Sequence, residues 1–221
     1  PVSMHQPHSN QRLNIVHQTA RFVVINKPPC LLPVPGKGPE NQDCVPARIR
    51  EMFPEARGPL VVHRLDMDTS GLLIVALDEH TQRNLSQQFE SRTVDKRYTA
   101  LVDGIVAREF GEIDIPIRLD PFNRPYQLID PTHHRPAITR WRVLAYETDR
   151  TRLDLVPLTG RTHQLRVHCA HIGHPIIGDV LYGPQPLTAE LGPRLMLHAT
   201  MLAVIDAETG RRIEFRSPPP F

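Results

Sequence analysis

HRLDMDTSGLLIVAL, residues 63–77, decides how this chain is read. It places two basic side chains, two carboxylates and two hydroxyls ahead of Gly71, then runs straight into apolar sequence. PLVVHRLD (59–66) and GLLIVALD (71–78) are predicted as two apolar strands joined by a tight turn. Asp68, Thr69, Ser70 and Gly71 suit that turn, because Asp and Ser bond their own backbone there and glycine takes positive φ. Asp66 is left at the end of a buried strand, where a carboxylate is costly unless something pairs with it.

Working outward from this stretch, RFVVINKPP (21–29) reads as a strand entering the proline-rich loop KPPCLLPVPGKGP (27–39). Val45, Ile49 and Phe53 recur at helical spacing and stop at Pro54. HTQRNLSQQFESR (80–92) is predicted as a helix lying on a sheet through Leu85 and Phe89, and DKRYTALVDG (95–104) as a strand. GEIDIPI, AITRWRVLAYE (137–147) and TRLDLVPLT (151–159) read as β-segments, the long ones with one solvated face. In TGRTHQLRVHCAHIGH, Leu165, Cys169 and Ile172 share a helical face and Gly173 is the stop. GPQPLTAELGP (183–193) is a loop, LMLHATMLAVI (195–205) a strand, and DAETGRRIEF (206–215) a closing hairpin about Thr209-Gly210. The expected class is mixed α/β (α+β), with a largely antiparallel central sheet flanked by helices and loops. The expected layout is a polar tail over 1–11 and a single domain over 12–221.

Composition limits the function. With 221 residues and 40% hydrophobic content, the chain can build a substantial core. A formal charge of +2 with twelve histidines permits a nucleic-acid partner without requiring one. Cys30, Cys44 and Cys169 contain no CxxC and form no disulfide framework, which fits a reducing compartment. The amino end lacks the apolar core of a signal peptide, and no apolar run is long enough to span a bilayer. A cytoplasmic protein with no membrane partner is expected. The absence of a coiled-coil repeat or obvious apolar patch makes a monomer the expected state.

Three chemistries compete for HRLDMDTSG. Asp66 and Asp68 could form a metal-binding DxD for Mg²⁺-dependent phosphoryl or glycosyl transfer. DTSG resembles the aspartic-protease turn, but occurs once and would need a second carboxylate. The third is a lone aspartate kept ionised by arginine, with Arg64 and Arg166 as candidates, able to act as nucleophile or base without metal.

VHRLDMDTSGLLIVA closely resembles the HRLDxxTSGLL motif of the RluA family of pseudouridine synthases. The resemblance continues through KRYTALVDG (96–104), GRTHQLRVHCAHIGHPIIGDVLYG (160–183) and RLMLHATML (194–202), in order and at similar spacing. It covers most of the chain from Val24 onward. FNRP and the compact carboxyl end are similar to the branch named for RluA itself, which acts on 23S ribosomal RNA and tRNA; no amino-terminal S4-type segment is expected.

This resemblance implies isomerisation of uridine in structured RNA, with no cofactor and no metal. Asp66 is then the essential carboxylate; attack on the sugar, attack on the base and removal of a ribose proton stay open as its role. Tyr98 matches the tyrosine that stacks on the target base, against a plain reading as a half-buried strand residue. Arg166 matches the arginine that pairs with the aspartate, against a plain reading as a solvated helix residue. Leu195 and Leu197 match the wall behind the base, and core packing accounts for them equally. Arg64 is the candidate for filling the space that a flipped base vacates. His63, Arg161, Lys96 and Arg97, with Arg83 and Arg92, are candidate RNA contacts, although exposed bases also serve solubility. His163, His168, His171 and His174 do not fall on one helical face, so polar or RNA-facing roles are expected of them in place of zinc. A catalytically silent RNA-binding or RNA-folding protein, and the Mg²⁺ transferase using Asp66 and Asp68, are the competing functions.

Overall fold

A computed structural model describes residues 12–183 and 194–221; the expected tail over 1–11 and most of the 183–193 loop lie outside the described residues. The elements in chain order are β1 (Asn14–Gln18), β2 (Phe22–Lys27), α1 (Val45–Met52), β3 (Ser70–Ala76), α2 (Glu79–Glu90) and β4 (Asp95–Asp103). They continue with β5 (Phe110–Asp114), β6 (Ile117–Leu119), β7 (Gln127–Ile129), β8 (Ile138–Tyr146) and β9 (Arg150–Pro157). The last are α3 (Gln164–His171), β10 (Leu197–Ile205) and β11 (Arg212–Arg216). The protein is mixed α+β with antiparallel strand pairs, as expected. No helix among the described residues is long and apolar enough to cross a membrane.

The described chain divides into two compact units. The first runs to Asp95 and takes in Ala199–Pro219. Its strands follow the order β1-β2-β3-β10, with β11 pairing with β10. Every residue of β3 is buried, and so is nearly all of β2, which is why both read as continuous apolar runs. Gly71 opens β3 at φ +110°, where the backbone of Ala199 lies so close that a Cβ would collide with it. α2 begins at Asp78, whose side chain accepts the Thr81 N–H, and buries Leu85 as its spacing predicts.

One strand expectation fails here. PLVVHRLD forms no regular strand; only Val61 makes an isolated bridge, to Val75. Pro59 has no N–H, Leu60 takes φ +60°, and the Ile74 N–H is accepted by His63 Nε2 at 3.2 Å. An imidazole side chain therefore occupies a place that a backbone carbonyl fills in a ladder. Residues 62–66 belong to no strand.

The second unit comprises Lys96–His198 with Pro220–Phe221. Its strands follow the order β4-β9-β8-β5, while β6 and β7 form a separate hairpin. Ala100, Val102, Leu153, Leu155, Trp141, Leu165, Cys169, Leu195 and Leu197 make one core cluster. α3 was expected to bury one face, yet six of its eight residues are buried: Gln164, Leu165, Arg166, Val167, His168 and Cys169. A helix closed in on most sides must satisfy its polar groups internally. Gly173, at φ +84°, ends it as predicted.

Candidate active site

In the first unit the candidate carboxylate sits in a turn. The Thr69 N–H donates to the Asp66 carbonyl at 3.1 Å, so residues 66–69 fold back on themselves before β3 starts at Ser70. Exposure alternates along the approach: Arg64 is exposed, Leu65 is buried and Asp66 is half-buried. Leu65 pins the segment to the core while Arg64 and Asp66 remain open to solvent. Asp68 is also half-buried. His63 stacks on Phe89 of α2 with ring centroids 4.2 Å apart, in addition to its bond with Ile74, so its ring braces the loop against the helix.

Sequence reading missed the group that holds this loop from beneath. Lys27 has no solvent exposure, and its ammonium donates to the carbonyls of Pro28 (2.9 Å), Leu31 (2.9 Å) and Met67 (2.7 Å). Met67 lies between the two carboxylates, so the last strand residue of β2 fixes the backbone from which Asp66 and Asp68 project. A lysine ending an apolar strand beside two prolines was the available signal, since a buried ammonium must find acceptors. Thr69 Oγ1 in the same loop is buried without a hydrogen-bond partner.

In the second unit, Arg166 is 2% exposed, which removes its reading as a solvated helix residue. Its Nε and one terminal nitrogen donate to the two oxygens of Asp179 at 2.8 and 2.6 Å, a bidentate fork. Asp179 Oδ1 also accepts the N–H groups of Leu181 and Tyr182, which holds the carboxylate in its orientation toward the arginine. The Tyr182 ring lies under the guanidinium at 5.4 Å. GDVLYG is thus the receptor for Arg166. Gly178 permits close approach of the Arg194 carbonyl, Asp179 supplies the charge and Tyr182 the flat face. Neither Asp179 nor Tyr182 was singled out from sequence; the signal was an arginine set between the apolar Leu165 and Val167, which requires a carboxylate if that helix is buried.

Gln164, also missed, ties the start of α3 to β8. Its carbonyl oxygen accepts from the Thr159 hydroxyl and the Arg161 N–H, and its amide donates to Ile138 O and Thr139 Oγ1. Thr139 Oγ1 also meets His168 Nδ1 at 2.9 Å, and His168 Nε2 meets Ile115 O at 3.0 Å. A carbonyl can only accept, so Nε2 carries the proton and Nδ1 accepts from Thr139. Burial pushes the His168 pKa down and holds this neutral tautomer. His168 is therefore a core residue, not an RNA-facing one. His174 Nδ1 bonds Asp103 O, and His163 Nδ1 bonds the Tyr182 hydroxyl. Among the described residues, no three or more His, Cys, Asp or Glu side chains are grouped as metal ligands. The buried Cys169 thiol is pushed up to about 12 by desolvation and then by the nearby Asp179 charge, which makes it inert.

Tyr98 is half-buried on β4, opposite Leu155, and packs on the cluster that holds Leu195 and Leu197, each 2% exposed. The tyrosine and the two predicted wall leucines thus belong to one packed group. Lys96, two residues earlier on the same face of β4, reaches toward Gly160, where a Cβ would come within 3.9 Å of its Nζ. Arg97 points the other way, to Asp154 at 3.5 Å. Arg161 donates its Nε to Pro136 O at 3.2 Å, while Arg83 and Arg92 are exposed.

A family model described as RNA pseudouridylate synthase matches residues 21–171. The dual-specificity RNA pseudouridine synthase RluA of Pasteurella multocida is 44% identical over 216 residues, covering 97% of each chain. The enzyme of the same description from Escherichia coli K12 is 41% identical over 218 residues, covering 98% of each. Among solved structures, human RNA pseudouridylate synthase domain containing 1 superposes with a TM-score of 0.82 at 31% identity. It covers 98% of this chain and 87% of that one.

Proposed function

Since the chain belongs to the RNA pseudouridylate synthase family, we propose that its substrates are uridines in stem-loops of 23S ribosomal RNA and tRNA. The chain is an RNA pseudouridine synthase, an isomerase. The reaction breaks the bond from ribose C1′ to uracil N1 and joins C1′ to C5. The C5 proton is lost and N1 gains one, so the atoms balance without oxidant or imported group. Near-full-length identity to dual-specificity relatives supports the substrate assignment.

Asp66 is assigned the essential carboxylate, acting on a uridine turned out of its stack. The observation that carries this is its position on a half-exposed turn whose backbone is held by buried Lys27 through Met67 O. A group so held meets substrate without further ordering. Tyr98 is assigned the ring that stacks on the base and helps move the C5 proton, which fits a side chain part buried and part open. Arg166 is assigned the arginine that pairs with the catalytic aspartate. Its fork to Asp179 fixes the position of the guanidinium. Leu195 and Leu197 back the base, and Arg64, exposed beside Asp66, fills the vacated stack. His63, Lys96, Arg97 and Arg161 support RNA binding. The whole of 12–221 serves as one catalytic domain, monomeric and cytoplasmic.

Mapping pseudouridine at single-nucleotide resolution in ribosomal and transfer RNA transcripts, with EDTA present, tests this reading. Signal at a few uridines with the wild type, and none with Asp66→Asn, is expected. RNA bound tightly but left unmodified would favour a silent binder, and activity abolished by EDTA a Mg²⁺ transferase.

A further inference from the structure

The β6–β7 hairpin of the second unit carries an exposed aromatic tip on a rigid base. Ile117 and Ile129 turn inward to pack with Val167 of α3 and with Tyr182. At the tip, Phe122 is 92% exposed, and Leu119, Tyr126 and Leu128 add partly exposed apolar surface. This exposure is not that of a loose loop. Asp120 Oδ1 accepts the N–H groups of Phe122 (2.9 Å) and Asn123 (3.2 Å), and Oδ2 accepts the Asn123 amide (2.9 Å). Backbone bonds from Asp120 N to Tyr126 O (2.8 Å) and from Tyr126 N to Asn123 O (2.9 Å) close the turn. The ring is thus presented outward by a satisfied network, and little ordering remains for binding.

The base of the hairpin is tied to the arginine site. The Tyr182 hydroxyl accepts the Gln127 N–H at 2.9 Å, and its ring meets Tyr126 edge-on at 5.9 Å while lying under Arg166. The surrounding charge is positive toward solvent. Asp120 is spent on its turn, and Asp130 is occupied by Thr132 and Arg118. Arg124, His134 and Arg135 are exposed. With Arg124 exposed two residues from Phe122 and Arg135 exposed beyond β7, this aromatic tip suits a partner with flat bases and a phosphate backbone, and suits an apolar protein surface poorly.

We propose that the β6–β7 hairpin is a second RNA-binding element, on which Phe122 stacks against an unpaired base of the substrate while Arg124 and Arg135 hold adjacent phosphates. This rests on the reading of the substrate as structured RNA. The probe is a synthetic RNA stem-loop carrying a uridine that the wild type modifies, compared with a duplex of the same stem lacking the loop.

Phe122→Ala should raise the Kd for the stem-loop about tenfold and leave the Kd for the duplex unchanged. Phe122→Trp should keep the wild-type Kd. Its fluorescence, read against the single buried Trp141, should fall by about half when the stem-loop binds, because base stacking quenches indole. Stem-loop binding within twofold of wild type for Phe122→Ala, with Phe122→Trp fluorescence unmoved, overturns the proposal. So does equal weakening on both RNAs, or a change in sedimentation with RNA binding intact, which would make the tip a contact between copies. A wild type that modifies no uridine sinks the substrate reading and this proposal with it; a modifying wild type with an insensitive Phe122 sinks this proposal alone.

Discussion

Arg166 and Asp179, thirteen residues apart, are joined by two hydrogen bonds of 2.8 and 2.6 Å with both side chains withdrawn from solvent. Such a pair is costly to assemble and more costly to break, because removing one partner strands the other charge. Asp179→Asn is expected to destabilise the fold by about 3–5 kcal/mol in urea unfolding. Arg166→Lys keeps the charge but loses the fork and the face over Tyr182, so turnover should fall more than stability does. Equal stability of Asp179→Asn and wild type would contradict the role given to this pair.

Lys27→Met should damage both stability and activity. It removes the donor to three carbonyls, including Met67 O beneath Asp66. Acceptors left buried without a donor cost about 1–3 kcal/mol each, so a loss of about 3 kcal/mol or more is expected in thermal or urea unfolding. At a temperature where the variant remains folded, kcat should still be depressed because the Asp66 turn is no longer held. A folded variant with wild-type kcat would separate Lys27 from the site.

Gly71→Ala is expected to be poorly tolerated. Both the φ of +110° and the Ala199 backbone facing the missing Cβ oppose a side chain. Backbone strain and overpacking together should cost about 3–5 kcal/mol. The readout is the yield of folded protein and its Tm.

Stability should decline in mild acid through His168. Its folded pKa is lowered below 6.5 by burial. The unfolded ring therefore takes up a proton near pH 6.5 while the folded ring stays neutral, and stability falls as pH drops toward the folded value. The steepest slope one such group contributes is about 1.4 kcal/mol per pH unit. Urea midpoints measured from pH 7.5 to 5 should fall, and the His168 ring should titrate below the ordinary imidazole range in NMR spectra, with the Nε2–H tautomer as its neutral form. A His168 that titrates at or above the ordinary imidazole value in the folded protein would refute this.

Much of the fold was legible because apolar periodicity reports burial. β2, β3, β4, β8, β9 and the helices α1 and α2 follow from the spacing of residues such as Ile49, Leu85 and Leu155. PLVVHRLD misled because its apolar residues are buried without pairing, and composition reports burial, not hydrogen bonding. His63 taking the Ile74 N–H is a side-chain event that no strand pattern encodes. α3 misled for a related reason. A helix closed in on most sides keeps Gln164, Arg166 and His168 inside by satisfying each one, so its sequence shows no clean polar face.

By itself, the sequence determined the chemistry on offer. HRLDMDTSG, KRY and GRTHQLR announce an aspartate, a tyrosine and an arginine with no cofactor fingerprint, and the family follows from them. Only the tertiary structure decided what holds those groups. Lys27 reaches Met67 from forty residues away, and Asp179 with Tyr182 receives Arg166 from the turn beyond its own helix. The physical reason is that a buried charge is tolerated only where the fold delivers acceptors to it. Which distant backbone or carboxylate arrives is a property of packing, not of local pattern.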